Sequence, residues 1–170
     1  MEEEEQYIDP SKNDVYCGIQ IISEIIPPNN FGKGGLYLGR VHMVEREKQI
    51  QQMKIGAILS IIDTPVEIHP KRKIKHKFIQ MEDEPEKDLS KFFDEANKFI
   101  SDNLLHTNVF VHCQMGISRS STIVIAYLMK QRKQNFQTTL EYVRSKRDCV
   151  DPNAGFQEQL KKWGQKLQLK

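Results

Sequence analysis

In the stretch Val111-His112-Cys113-Gln114-Met115-Gly116-Ile117-Ser118-Arg119-Ser120-Ser121, a cysteine sits between a short apolar run and a turn-like segment that ends in an arginine. A loop that runs from a strand end into a helix start points backbone N–H groups and the positive end of the helix dipole at one spot, and that spot attracts an anion. Gly116 allows a left-handed or tight turn there, so the amides of Gln114 to Ser118 can face inward while their side chains splay outward. Ser118 and Ser120 add small hydroxyl donors. Arg119, six positions after Cys113, can fold back and offer a planar fork to two oxygens of one anion, a geometry that lysine lacks. The set suits a tetrahedral dianion. The same field favours the thiolate form of Cys113. A thiolate beneath a phosphoryl group is placed for in-line attack, giving a phosphocysteine that water then hydrolyses. The arginine and the amides carry the charge, so no metal or other cofactor is called for.

The surrounding pattern must position that loop. Ile19 to Ile26 is rich in isoleucine and stops at Pro27-Pro28, and after a turn-rich stretch Leu36-Tyr37-Leu38-Gly39 reads as a second strand, the two forming an edge hairpin. Val41 to Met53 carries long polar helix formers, and Ala57 to Ile62 is a continuous apolar run of the length of a buried parallel strand. Ile74 to Met81 is a weaker strand that ends at the acidic loop Glu82 to Glu86. Leu89, Phe92, Phe93, Ala96, Phe99 and Ile100 recur at helical steps behind Asp88 and Ser90, which are suited to cap the helix. Asn108 to His112 reads as a strand and Ser120 to Gln131 as a buried helix, and two more helices follow, the last starting at Asp151-Pro152-Asn153. This alternation predicts an α/β domain with a central, mostly parallel twisted sheet flanked by helices. The cysteine loop then lies at the carboxyl end of a strand, where such sheets bind ligands.

A chain of 170 residues with 38% hydrophobic side chains can bury one core. Twenty-five Lys and Arg against 23 Asp and Glu leave a net charge of +2, too little to draw in nucleic acid or a membrane by bulk electrostatics. Met1 to Gln6 is acidic, unlike a signal or transit peptide, which points to the cytoplasm, with the nucleus open. Residues 1–7 are expected to be disordered and residues 8–170 to form one domain, a monomer. Cys17, Cys113 and Cys149 are odd in number and widely spaced, which supports neither a disulfide framework nor a zinc site. Cys17, Cys149 and Trp163 read as packing residues. The basic run Lys71-Arg72-Lys73, Lys75 and Lys77 reads as a solvated strand edge, with a docking surface for acidic or phosphorylated partners as the alternative.

His112 to Ser120 resembles the H-C-x-x-G-x-x-R-S/T signature of the cysteine-dependent protein tyrosine phosphatases. The run from Ser120-Ser121-Thr122 to Ala126-Tyr127-Leu128-Met129, Leu36-Tyr37-Leu38-Gly39, and Pro152-Asn153 with Phe156 are similar to the dual-specificity phosphatase subfamily, a likeness that spans roughly Ile19 to Leu160. The resemblance implies a fold of the protein tyrosine phosphatase type, Cys113 as nucleophile, and Gln114, Met115, Gly116, Ile117, Ser118 and Arg119 as the phosphate site. It also implies a general acid on a separate loop, in a pattern where Asp is followed six residues later by Leu-Ser and then Phe; Asp83 with Leu89-Ser90 and Phe92-Phe93 fits. Such an acid contributes about 10²- to 10⁴-fold. It must be protonated while the cysteine is ionised, which predicts a bell-shaped or acid-shifted rate profile. Ser120 corresponds to the hydroxyl that steadies the departing thiolate, His112 to a support for the loop, and Asn153 to a tie to the site wall. The implied substrates are phosphorylated proteins, a protein kinase among them. Two alternatives stand beside this reading: a phosphatase for a phosphoinositide, glucan phosphate or RNA 5′ end, and a phosphoprotein-binding scaffold without turnover.

Overall fold

The computed structural model describes residues 15–16, 19–29, 33–68 and 73–169. The expected disordered stretch 1–7, Cys17, and Lys71 and Arg72 of the basic run lie outside the described residues. Among the described residues there are seven strands: β1 (Val15–Tyr16), β2 (Ile19–Gln20), β3 (Ile22–Ile26), β4 (Leu36–Arg40), β5 (Ile55–Ile62), β6 (Lys75–Gln80) and β7 (Asn108–Cys113). β1 and β2 form a small antiparallel pair, and the other five form the central sheet in the order β3-β4-β7-β5-β6. β7 lies in the middle, parallel to β4 and β5, with Val111 opposite both Leu38 and Leu59. β6 runs parallel to β5, and only the edge strand β3 is antiparallel, paired with β4 as the expected hairpin.

Burial follows this order. Every residue of β4 is buried, as are all but the first of β7, because helices cover one face and a short turn and helix cover the other. β6 buries Ile79 alone and keeps Lys75, His76 and Phe78 at the surface, which is why its apolar signal is weak. The helices are α1 (Glu47–Gln52), α2 (Phe93–Leu104), α3 (Arg119–Arg132), α4 (Phe136–Lys146) and α5 (Ala154–Lys166). α3 is buried on all sides from Arg119 to Met129, packed between β7 and the three other long helices. Its apolar residues join Val109 and Val111 of β7 and Phe93, Ile100, Leu140, Phe156 and Trp163 of α2, α4 and α5 in the larger core.

Two expectations need correction. The single helix expected over Val41 to Met53 is a 3-10 turn, Val41–Glu45, followed by α1, because Arg46 leaves helical geometry at φ −85° and ψ 72°. Asp88 does not cap α2: its Oδ1 accepts from the Ser90 N–H at 3.0 Å and the Ser90 hydroxyl at 2.6 Å, holding a 3-10 turn at Ser90–Phe92, and α2 begins only after it. Among the described residues, no helix is long and apolar enough to cross a membrane.

Candidate active site

β7 delivers Cys113 to the carboxyl edge of the sheet, and α3 starts six residues later at Arg119. Cys113 is 2% exposed. Its Sγ accepts from the Gly116 N–H at 3.2 Å and from the Ser120 hydroxyl at 3.1 Å, so two donors point at the sulfur. Gly116 has φ +67°, a conformation L side chains rarely adopt, and a Cβ there would lie 2.5 Å from the Gly39 carbonyl oxygen of β4. The loop is thus closed down onto β4, and only glycine fits. At the start of α3 the hydroxyls of Ser121 and Thr122 turn back to the Ser118 carbonyl, at 2.9 and 2.8 Å.

Asp83 comes to the same place from the loop after β6. Its Oδ1 accepts from the Ser118 hydroxyl at 2.7 Å and from Asn153 Nδ2 at 2.9 Å, and its Oδ2 is 3.8 Å from Arg119 Nε. The Asn153 N–H donates to the Ser118 hydroxyl at 3.0 Å, while its Oδ1 caps α5 by accepting from the Phe156 N–H at 3.0 Å. Cys113, Ser118, Arg119, Ser120, Asp83 and Asn153 are therefore one cluster. Glu82 instead pairs with Lys87 at the surface.

His112 lies behind the loop, fully buried and stacked on Phe110 with ring centroids 5.3 Å apart. Burial pushes its pKa down to about 4, so the ring is neutral at neutral pH. Nδ1 is 3.3 Å from the Cys113 carbonyl oxygen, which can only accept, so Nδ1 carries the proton and Nε2 accepts. The Ser60 hydroxyl, 2.7 Å from Nε2, then donates to His112 and accepts from His76 Nε2 at 2.8 Å. Burial also lowers the pKa of His76.

Arg147, Asp63 and Ser60 are residues that sequence reasoning missed. Arg147 is 2% exposed, and burial pushes its guanidinium pKa down. It donates from Nε to the Gly116 carbonyl at 2.9 Å, from Nη2 to the Met115 carbonyl at 3.0 Å, and from Nη1 to the Gln20 carbonyl at 2.7 Å and the Ser23 hydroxyl at 3.2 Å. In sequence it looks like one more charge in Lys146-Arg147-Asp148. Asp63, just past β5, accepts from Arg119 Nη1 at 3.2 Å. A cleft of about 860 Å³ opens beside Gln114, walled by Val41, Val44, Ile62, Pro65 and Val66. Among the described residues, no group of three or more His, Cys, Asp or Glu side chains is placed to hold a metal ion.

Residues 36–166 match the family model described as the dual specificity phosphatase catalytic domain. The chain belongs to that family. Among dual specificity phosphatases, the mouse (Mus musculus) dual specificity protein phosphatase 22 is 35% identical over 144 residues, which cover 84% of this chain and 73% of that protein. The Dictyostelium discoideum MAP kinase phosphatase with leucine-rich repeats protein 3 is 37% identical over 147 residues, 86% of this chain but 16% of the larger protein. Of four such curated relatives, the chain spans between 16% and 60% of the full length. The crystal structure of DUSP15 superposes with a TM-score of 0.76 at 33% identity, covering 86% of this chain and 91% of that one.

Proposed function

We propose that this dual specificity phosphatase domain hydrolyses phosphate monoesters on phosphotyrosine, phosphoserine and phosphothreonine of proteins. The observation that carries the reading is the convergence of two donors on Cys113 Sγ in the loop that leads into Arg119, whose Nε lies 3.8 Å from Asp83. The phosphoryl oxygens take up the loop amides and the Arg119 fork. Cys113 attacks phosphorus, an S–P bond forms, the P–O ester bond breaks, and Asp83 passes its proton to the leaving oxygen. Water then attacks the phosphocysteine and gives its proton to the Asp83 carboxylate. The S–P bond breaks with the electron pair on sulfur, where the Ser120 hydroxyl at 3.1 Å stabilises it, and orthophosphate leaves.

Cys113→Ser is expected to abolish turnover of an aryl phosphate while tungstate still binds; retained turnover overturns the assignment. Asp83→Ala is expected to slow a poor leaving group by about 10²-fold or more, and an equal loss from Glu82→Ala or Glu84→Ala would move the role of acid to that residue. The loop side chains Gln114, Met115, Ile117 and Ser118 include no lysine to meet the extra phosphates of a phosphoinositide or an RNA 5′ end, which favours singly phosphorylated side chains. Matched phosphotyrosine, phosphoserine and phosphothreonine peptides test the breadth, and turnover confined to phosphotyrosine overturns it. A protein kinase is a candidate substrate, supported by the likeness to the Dictyostelium discoideum MAP kinase phosphatase.

A further inference from the structure

Asp63 belongs neither to the cysteine loop nor to the acidic loop, yet it touches the arginine at the centre of the site. Its place is set by the sheet. β5 and β6 run parallel with Ile62 opposite Gln80, so the next residues, Asp63 and Met81, leave the carboxyl edge side by side. The Met81 N–H donates to the Ile62 carbonyl at 3.1 Å, and Gln80 Nε2 donates to the Asp63 carbonyl at 3.3 Å, which locks the two strand ends together.

Both ends then serve one nitrogen. Arg119 Nη1 donates to Asp63 Oδ1 at 3.2 Å and to the Met81 carbonyl at 3.0 Å, which uses both of its hydrogens. Nε is buried and has no hydrogen-bond partner among the described residues, and no described residue accepts from Nη2. Nε and Nη2 form the side-on edge of the guanidinium, the edge that takes two oxygens of a tetrahedral anion in parallel.

We propose that Asp63 is a positioning residue for phosphate binding: with the Met81 carbonyl it fixes the rotation of the Arg119 guanidinium and aims the Nε and Nη2 edge at the phosphoryl group. This role rests on the phosphate-site reading above. It is separate from that of Asp83, which sits 3.8 Å beyond Nε and makes no contact with Nη1. A carboxylate near an anion site also repels the anion. Here the repulsion acts across the guanidinium and through water, since 53% of the Asp63 side chain is exposed, whereas the orienting hydrogen bond acts at contact distance.

The test is tungstate binding by calorimetry, which needs no turnover, alongside kcat/KM against pH on an aryl phosphate. Asp63→Ala is expected to weaken tungstate about ten-fold and to lower kcat/KM in parallel, with the basic limb of the profile unmoved. Asp63→Asn keeps an acceptor oxygen and loses the charge, so it is expected to stay within about threefold of the parent domain in both measures. Tighter tungstate binding in either variant would make Asp63 a source of repulsion and overturn the proposal. Loss of the basic limb in Asp63→Asn would make it the proton donor, and also overturns it. Should Asp63→Ala melt early, Asp63→Ser, whose shorter side chain does not span to Arg119 Nη1, carries the same comparison and the same expected ten-fold loss of tungstate affinity. A parent domain that binds no tungstate removes the phosphate site and this role together, while normal parent binding with an unaffected Ala variant removes this role alone.

Discussion

Arg147 holds the cysteine loop by donating to two of its carbonyls, while Arg119 meets Asp63 and Asp83. Replacing Arg147 by Met would strand the buried carbonyl of Gly116, at about 1–3 kcal/mol for an unpaired buried acceptor, and the part-buried carbonyls of Met115 and Gln20 at less each. Urea denaturation is expected to show a loss of several kcal/mol, and tungstate affinity should fall with it, since the amides would no longer be held inward. His112 gives a second prediction. Its folded pKa of about 4 lies below the unfolded value of 6.5, so the unfolded chain binds the extra proton between those values. Stability contributed by the neutral ring is complete above pH 6.5 and is lost as pH falls toward 4, on the order of 3 kcal/mol in total. His112→Asn should flatten that part of the stability profile relative to the parent domain, and an unchanged slope would contradict the assignment. The cysteine signature was legible in the sequence because its partners lie within a few residues. Asp63 and Arg147 were not, because they meet the loop only after β5 and the end of α4 have packed against it.

At the scale of elements, α5 holds the acidic loop. Asn153 reaches Asp83, a Cβ on Gly155 would lie 1.9 Å from the Pro85 carbonyl oxygen, and Gln159 accepts from the N–H groups of Leu89 and Ser90 and donates to the Lys87 carbonyl. Asn153→Ser keeps a good cap for α5 but loses the amide donor to Asp83. Its unfolding free energy should stay within about 0.5 kcal/mol of the parent domain, whereas Asn153→Ala should lose about 1 kcal/mol. Both should slow hydrolysis of a poor leaving group, and a full rate in the Ser variant would show that the tether is dispensable. Strand and helix identities were readable from helical spacing in α2 and from apolar or β-branched runs in β5, β7 and α3, where burial is strong. They were not readable between Val41 and Met53, where long polar side chains suit a helix throughout and the break at Arg46 is set by how the chain packs under the sheet.

At the scale of the whole molecule, the alternation of strands and helices predicted a parallel sheet and placed the cysteine loop at its carboxyl edge, as found. Strand order was out of reach, because β7 enters between β4 and β5 through pairings with no local signature. That order matters for the hinterland of the site. The match to the family model begins at residue 36, but Arg147 donates two of its four hydrogen bonds to the Gln20 carbonyl and the Ser23 hydroxyl, and the Tyr142 hydroxyl donates to the Ile25 carbonyl at 2.7 Å. A fragment cut at residue 36 would retain each signature side chain while discarding the edge strand that moors Arg147. Such a fragment is expected to melt lower and to bind tungstate more weakly than one starting at residue 19. The smallest self-sufficient unit is therefore expected to reach upstream of the stretch that the family model matches.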